Sequence, residues 1–185
     1  MKLSRRTALA SGLAAFLPIP CLAAAQDATA RIDAILSHAP WIADGRPSQR
    51  YVYVLFAPWC PYCKVLFVET RRGHDSIQFR WIAGGSRDAM SMNQNLNAVS
   101  RRSTDVLAGI FRHATLDNLL SDDTAKALLA RSESTIEEIS ARLSVTGYPT
   151  LIFADRRGEV RTLGGVPDDL DEFFARVGVF PSAGS

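Results

Sequence analysis

The feature that most constrains this chain is a pair of cysteines, Cys60 and Cys63, between a strand pattern and a helix pattern. The β-branched and aromatic run Tyr51–Phe56 precedes the pair and predicts a buried strand. Residues 65–69 continue as a helix, and Pro61 suits its first turn. Cys60 therefore lies at a helix N-terminus, where free backbone N–H groups and the helix dipole favour a thiolate. Cys63 follows about one turn later and can close back on Cys60, which indicates thiol–disulfide exchange.

The N-terminal residues have the composition of a secretory signal. Three basic residues come first, an uncharged apolar stretch over residues 8–22 follows, and three alanines come next. The basic residues are Lys2, Arg5 and Arg6. This order predicts a signal peptide over residues 1–25, cleaved before Gln26, and export to the periplasm by the Sec or the twin-arginine route. An uncleaved anchor is the alternative, but the apolar stretch is short for a membrane span.

Removal of this segment changes the charge and the cysteine content. The segment carries three positive charges and no acid, so the formal net charge falls from +2 to −1. This balance gives no electrostatic reason to expect nucleic acid or a membrane surface as a partner. Cys21 is removed as well, which leaves Cys60 and Cys63. One C-x-x-C pair is neither a disulfide scaffold nor a zinc site with four ligands, so we expect no metal and no cofactor beyond the Cys60–Cys63 disulfide.

The remaining chain divides into a lead-in and a domain. Residues 26–50 are predicted to form an N-terminal helix and a loop, and Trp41 and Ile42 in this loop are expected to dock on the core. Residues 51–180 are predicted to form the domain. Its second strand is the alternating run Ile77–Ile82, so that strand, helix and strand make a βαβ unit with a parallel pair.

A long helical segment follows this unit. Residues 86–144 contain no proline and few strand formers, and they are predicted to form a helical insertion with four helices. The fourth helix is expected to begin where Ser134-Thr135-Ile136-Glu137 has the pattern of a capping box. After the insertion, Leu151–Ala154 and Val160–Leu163 are predicted to be two antiparallel strands, and a final helix is predicted over Asp168–Gly178.

The order of these elements, with the C-x-x-C pair after the first strand, resembles the thioredoxin fold, an α/β fold with a mixed sheet flanked by helices. More closely, the chain resembles the catalytic domain of the periplasmic disulfide isomerases and reductases DsbC and DsbG. Three stretches within residues 41–178 carry this resemblance. They are Trp41-Ile42 with Gly45, Phe56-Ala57-Pro58-Trp59-Cys60-Pro61-Tyr62-Cys63-Lys64, and Gly147-Tyr148-Pro149-Thr150.

The resemblance implies a role for each matching residue. It implies that Cys60 is the attacking thiol and that Cys63 is the resolving thiol. It further implies that Pro149 is a cis proline facing the disulfide, at the start of the third strand, and that Tyr148 presents its backbone to an extended substrate. The other positions of the active-site loop are Trp59, Pro61 and Tyr62.

We therefore expect an exported thiol–disulfide oxidoreductase that reduces or isomerises the disulfides of protein substrates. By analogy with the family, its redox-recycling partner is a membrane electron donor. The family's dimerisation domain precedes the catalytic domain, and only residues 26–40 stand there, so we expect a monomer. Two features depart from the family. Tyr148 stands where the isomerases usually have threonine, and no carboxylate lies just upstream of Cys60, which leaves Lys64, Glu69 or water to exchange a proton with Cys63.

Other functions are compatible with parts of the sequence. A DsbA-like disulfide donor also has a helical insertion, but its active site usually has histidine where this chain has Tyr62. Cys-Pro-Tyr-Cys is also the motif of glutaredoxins, against which the export signal and the insertion argue. A chaperone-like binding module with dispensable redox activity would use the surface around Trp59 and Tyr148.

Overall fold

The structure, a computed structural model, describes residues 20–71 and 76–181. Most of the predicted signal peptide lies outside the described residues, and its removal stays a prediction. In chain order the elements are α1 (Pro20–Ser37), β1 (Ile42–Asp44), β2 (Tyr51–Phe56), α2 (Pro61–Glu69), β3 (Gln78–Ala83), α3 (Ala89–Arg101), α4 (Thr104–Phe111), α5 (Asp123–Leu143), β4 (Thr150–Ala154), β5 (Val160–Gly164) and α6 (Leu170–Arg176). No helix in the two described ranges combines the length and the apolar character needed to cross a membrane.

The strands form one mixed five-stranded sheet with the order β1-β3-β2-β4-β5. β2 and β3 are parallel, with α2 between them in the chain, and the other neighbouring strands are antiparallel. The helices α3, α4 and α5 lie between β3 and β4 in the chain and form the insertion. The predicted α/β thioredoxin fold with a helical insertion is therefore confirmed.

Side chains of β2 alternate between two apolar cores, because successive residues of a strand point to opposite faces of the sheet. Val52, Val54 and Phe56 belong to a core that also contains buried residues of α2, α3, α4 and α6. Tyr53 and Leu55 belong to a second core, which α1 and the C-terminal half of α5 cover. Helices therefore shield both faces of β2, which explains why this strand is apolar along its whole length.

The lead-in, expected to be a loop between the first helix and β2, contains a short strand. β1 pairs antiparallel with β3, and Ile42 lies buried opposite Trp81. Trp41 is half-buried, and the guanidinium carbons of Arg80 and Arg102 lie 4.7 and 5.3 Å from the centre of its ring. Trp41 and Ile42 thus dock on the body of the domain. A strand of three residues is too short to show a period in the sequence, so only its pairing reveals it.

The predicted start of a fourth inserted helix at Ser134 is wrong. Residues 123–143 form one continuous helix of 21 residues, and Ser134 lies exposed within it. The N-cap is Asp122, whose carboxylate accepts a hydrogen bond from the Ala125 N–H at 2.9 Å. Buried residues continue at helical spacing through the middle of this helix, so its contact with the core overrides the local capping signal. These buried residues are Ala125, Leu129, Ser132, Thr135, Ile136 and Ile139.

Candidate active site

The two cysteines lie at the start of α2, directly after the C-terminal end of β2. Cys60 is the N-cap residue, with φ −80° and ψ 116°, and Pro61 begins the helix. Proline is favoured at this position because an N–H there would have no partner within the helix. The backbone N–H of Cys63 donates a hydrogen bond to the Cys60 sulfur at 3.3 Å. The sulfur therefore takes the place that a serine or aspartate oxygen takes at an ordinary N-cap.

The loop before β4 faces Cys60 at the same edge of the sheet. β2 and β4 are antiparallel, with Leu55 opposite Thr150, so the end of β2 lies beside the start of β4. The Tyr148–Pro149 peptide bond is cis. The Cys60 thiol donates a hydrogen bond to the carbonyl oxygen of Tyr148 at 3.2 Å. The structure therefore brings Cys60 together with Tyr148 and Pro149, as the resemblance implies, although Tyr148 lies 88 positions later in the sequence.

A third loop, between β3 and α3, completes the site, and the sequence patterns do not predict it. β2 and β3 are parallel, so their C-terminal ends meet at one edge of the sheet. The indole N–H of Trp59 donates a hydrogen bond to the carbonyl oxygen of Gly85. The rings of Trp59 and Tyr148 are nearly perpendicular, at 87°, and their centres are 6.2 Å apart. Three loops from three neighbouring strands therefore meet around Cys60.

Gly85 is the point at which these loops touch. Its φ of +65° lies in the left-handed region, which favours glycine. A Cβ at this position would lie 2.7 Å from Cε2 of Tyr148 and 3.2 Å from the Cβ of Ala57. Tyr148 can therefore rest on the Gly85 backbone while Trp59 binds the carbonyl group. The sequence signal for this arrangement is the pair Gly84-Gly85, which indicates a turn but not the contacts the turn makes.

The two thiols differ in access. Cys60 is 4% exposed and Cys63 is 0% exposed, and both are free thiols. Burial raises the pKa of the Cys63 thiol well above its ordinary value, and its hydrogen bond with Cys60 raises the pKa further. Cys63 is therefore protonated at neutral pH in the reduced protein. This arrangement suits attack on an external disulfide by Cys60 and a later, internal attack by Cys63.

The other predicted site residues surround Cys60. Trp59 and Tyr62 are 38% and 63% exposed, and Pro61 is exposed between them in the chain. Lys64, which the sequence offers as one of the groups that could exchange a proton with Cys63, is exposed to solvent. Glu69 lies at the far end of α2, about 9 Å along the helix axis from Cys63.

The buried Cys63 thiol predicts a pH dependence for the second step of exchange. Cys63 must lose its proton to attack, and its raised pKa keeps the thiolate fraction small near neutral pH. We expect the rate of this step to rise about tenfold per pH unit between about pH 6 and 8. In a Cys21→Ser variant, a dithiobis(nitrobenzoate) reagent attaches one thionitrobenzoate to Cys60, and release of that group reports attack by Cys63. A release rate that is constant over this range would contradict the prediction.

Exchange of disulfides through one thiol at the edge of the site and one fully buried thiol is the chemistry that this site supports, so the protein falls in the class of thiol–disulfide oxidoreductases. The sequence gives the particular family. The family model of the thioredoxin-like domain matches residues 42–177, and the chain belongs to this family.

Several solved bacterial structures share the fold. The thiol-disulfide exchange protein α-DsbA2 from Wolbachia pipientis has 11% identity and a TM-score of 0.59, with 85% of this chain and 96% of that chain covered. DsbA2 from Pseudomonas aeruginosa has 17% identity and a TM-score of 0.56, with 72% and 90% covered. The catalytic domain of Proteus mirabilis ScsC has 17% identity and a TM-score of 0.53, with 81% and 95% covered. Identities this low show the fold alone. No curated protein matches the sequence.

Proposed function

We propose that the protein is a periplasmic enzyme that reduces or isomerises the disulfides of other proteins, in the manner of the DsbC and DsbG catalytic domains. Electrons pass through the Cys60–Cys63 pair itself, without a bound metal or cofactor. The substrate polypeptide lies along the active-site loop and the loop before β4. A disulfide of the substrate thereby reaches Cys60, the more accessible of the two thiols.

The exchange has two steps. The Cys60 thiolate attacks one sulfur of the substrate disulfide, whose S–S bond breaks; a Cys60–substrate disulfide forms, and the other substrate sulfur leaves as a thiolate. Cys63 then loses its proton and attacks the Cys60 sulfur. The mixed disulfide breaks, the Cys60–Cys63 disulfide forms, and the substrate leaves reduced by two electrons. In isomerisation, a second thiol of the substrate attacks the mixed disulfide in place of Cys63.

The hydrogen-bond partners of the Cys60 sulfur are uncharged, which supports reduction or isomerisation over disulfide donation. These partners include the Cys63 N–H at 3.3 Å, the Cys63 thiol and the Tyr148 carbonyl oxygen at 3.2 Å. A carbonyl oxygen accepts a hydrogen bond from a thiol but offers none to a thiolate, and Tyr62 brings no positive charge to the loop. Strong disulfide donors owe their oxidising power to a stabilised reduced form. At Cys60 that stabilisation comes from the start of α2, through the Cys63 N–H, and from the Cys63 thiol, without a charged hydrogen-bond partner.

The exposed face of α2 beside Cys60 is apolar, which supports proteins as substrates. Tyr62, Val65 and Val68 are 63%, 46% and 45% exposed and follow one another at three-residue spacing, so they form a row along the helix. Exposed apolar surface of this kind is typical of sites that bind other polypeptides. The same row is the observation that favours the alternative of a binding module, and the Cys60 variant described in the Discussion separates the two functions.

The loop residues have proposed parts in substrate binding. Tyr148 offers its backbone to an extended substrate segment, and Pro149 leaves no N–H at the start of β4 that would compete for the substrate carbonyl groups. Trp59 and Tyr62 contact side chains on either side of the substrate cysteine. Pro61 fixes the start of α2 and thereby the position of the Cys60 sulfur at the N-terminus of this helix.

The reduction potential of the Cys60–Cys63 pair tests the direction of electron flow. We expect a value of about −200 mV or more negative, because no charged group among the described residues is hydrogen-bonded to the Cys60 sulfur to stabilise the reduced form. Equilibration of the purified Cys21→Ser protein with glutathione buffers, followed by alkylation and mass spectrometry, measures this potential. A value near −120 mV, the level of DsbA, would overturn the reductase proposal in favour of the disulfide donor.

We further propose that the protein acts as a monomer and that a membrane electron donor recharges it. α1 packs through Ile32 and Leu36 on the second core of the same chain, which supports a domain that is complete without a second copy. Sedimentation equilibrium at several concentrations measures the oligomeric state, and a dimer at all of them would contradict the monomer.

A further inference from the structure

Arg87 places a positive charge against the active-site loop. Its guanidinium carbon lies 4.3 Å from the centre of the Trp59 ring, a distance at which a cation is attracted to the face of a tryptophan. Arg87 is exposed to solvent. It forms no salt bridge with any residue in the described part of the chain. Its donors are therefore available to a group that arrives from outside.

The loop that carries Arg87 is held on both sides, so the position of its charge is defined. On one side, Gly85 accepts the indole N–H of Trp59 and lies against the Tyr148 ring. On the other side, the Asp88 carboxylate caps α3 by accepting hydrogen bonds from the Ser91 N–H at 2.7 Å and the Ser91 hydroxyl at 2.6 Å. Those bonds commit the neighbouring carboxylate to the helix and leave Arg87 without a fixed partner.

Hydrogen bonds from Ser91 and, to a smaller extent, the charge of Arg87 lower the pKa of the Asp88 carboxyl, so Asp88 offsets part of the charge of Arg87. Lys64, directly after Cys63, is exposed and has the same sign. Glu133 acts on the Tyr148 side of the site, where burial first and then the Glu133 charge raise the pKa of the Tyr148 hydroxyl. The Trp59 side of the site therefore carries Arg87 with Asp88 beside it, whereas Glu133 acts on the Tyr148 side.

We propose that Arg87 is a specificity residue that selects substrate segments with an acidic side chain next to the cysteine that Cys60 attacks. The proposal rests on the proposed function, since it concerns the choice among protein disulfides. A guanidinium group binds a carboxylate through two parallel hydrogen bonds, and the contact of Arg87 with the Trp59 ring at 4.3 Å keeps the group beside the active-site loop. Because Arg87 is exposed, the expected gain in rate is modest, about threefold, and it weakens as salt screens the charges.

Short peptides that differ in one residue test this selection. Each peptide has one cysteine, joined by a disulfide to thionitrobenzoate and followed by Asp, Asn or Lys. The Cys60 thiolate attacks the peptide sulfur, a Cys60–peptide disulfide forms, and the coloured thionitrobenzoate leaves as a thiolate. The rate is measured in a single turnover of the reduced Cys21→Ser protein and divided by the rate of the same peptide with 2-mercaptoethanol.

We expect the Asp peptide to react about threefold faster than the Asn peptide at low salt and the Lys peptide to react more slowly than both. Arg87→Gln should remove the preference, and Arg87→Glu should reverse it. The matched control is Arg46→Glu, which makes the same charge change in the exposed loop before β2, at the opposite end of that strand from Cys60. This control should keep the preference for Asp.

The outcomes separate the two proposals. Equal corrected rates for the three peptides would overturn the role of Arg87 and leave the proposed function intact. A preference that survives Arg87→Glu, or one that Arg46→Glu removes as well, would overturn it too, because the net charge of the protein would then be its source. Failure of every peptide to release thionitrobenzoate would overturn the proposed function itself.

Discussion

Replacement of Cys60 by serine is expected to lower the rate of protein disulfide reduction by on the order of a thousandfold or more. A hydroxyl remains protonated at neutral pH and is a poor nucleophile toward sulfur, whereas a thiol can attack as its thiolate. The Cys60 sulfur, at the start of α2, accepts a hydrogen bond from the Cys63 N–H at 3.3 Å. Reduction of a test protein disulfide by dithiothreitol, with and without the variant, measures the loss. The comparison protein keeps Cys60, and Cys21 is replaced by serine in both proteins so that unprocessed chain adds no third thiol.

The same variant distinguishes an enzyme from a binding module. If Cys60→Ser loses reduction but still prevents aggregation of an unfolded protein, the apolar row on α2 has a binding function of its own. If Cys60→Ser keeps the reduction rate of the Cys21→Ser control, Cys60 is not the attacking thiol and the two-step exchange is wrong.

Replacement of Cys63 by serine is expected to arrest the reaction after its first step. Cys60 can still attack, but a serine at the buried position 63 cannot supply the second thiolate. Multiple turnover should fall to a small fraction of the rate of the parent protein, and a covalent complex of Cys60 with its substrate should accumulate. Non-reducing electrophoresis of periplasmic extracts, followed by mass spectrometry, identifies the trapped proteins and thereby the substrates.

A variant with both Cys60 and Cys63 replaced provides the control for this experiment, since it has the same surface but cannot form the complex. Complexes that form equally with the double variant would come from other cysteines. An absence of complexes with Cys63→Ser, together with unchanged turnover, would show that Cys63 does not resolve the mixed disulfide.

The central part of the fold could be predicted because its local signals agree with its long-range contacts. Residues 51–56 are β-branched or aromatic except for Leu55, and they lie in a central strand covered on both faces. Elsewhere the two kinds of signal differ. Ser134 and Glu137 form a local start signal within a helix whose buried residues continue past it. Ile42 belongs to a strand too short to have a pattern of its own.

The active site could be predicted in part for the same reason. The C-x-x-C pair is a local motif, and chain order together with the family resemblance pointed to Tyr148 and Pro149. The contribution of Gly85 could not be predicted, because its contacts with Trp59 and Tyr148 depend on how three strands align at one edge of the sheet. A glycine pair in the sequence carries no information about which aromatic side chains will lie on it.

The depth of Cys63 also has a consequence for damage by peroxide. Peroxide oxidises a cysteine to a sulfenic acid, further oxidation of that acid is irreversible, and Cys60 is the less buried of the two thiols. Cys63, shielded from peroxide but adjacent to Cys60 at the start of α2, can condense with the sulfenic acid to give the disulfide and water. The buried thiol that completes each turnover therefore also returns an oxidised active site to a state that a reductant can restore.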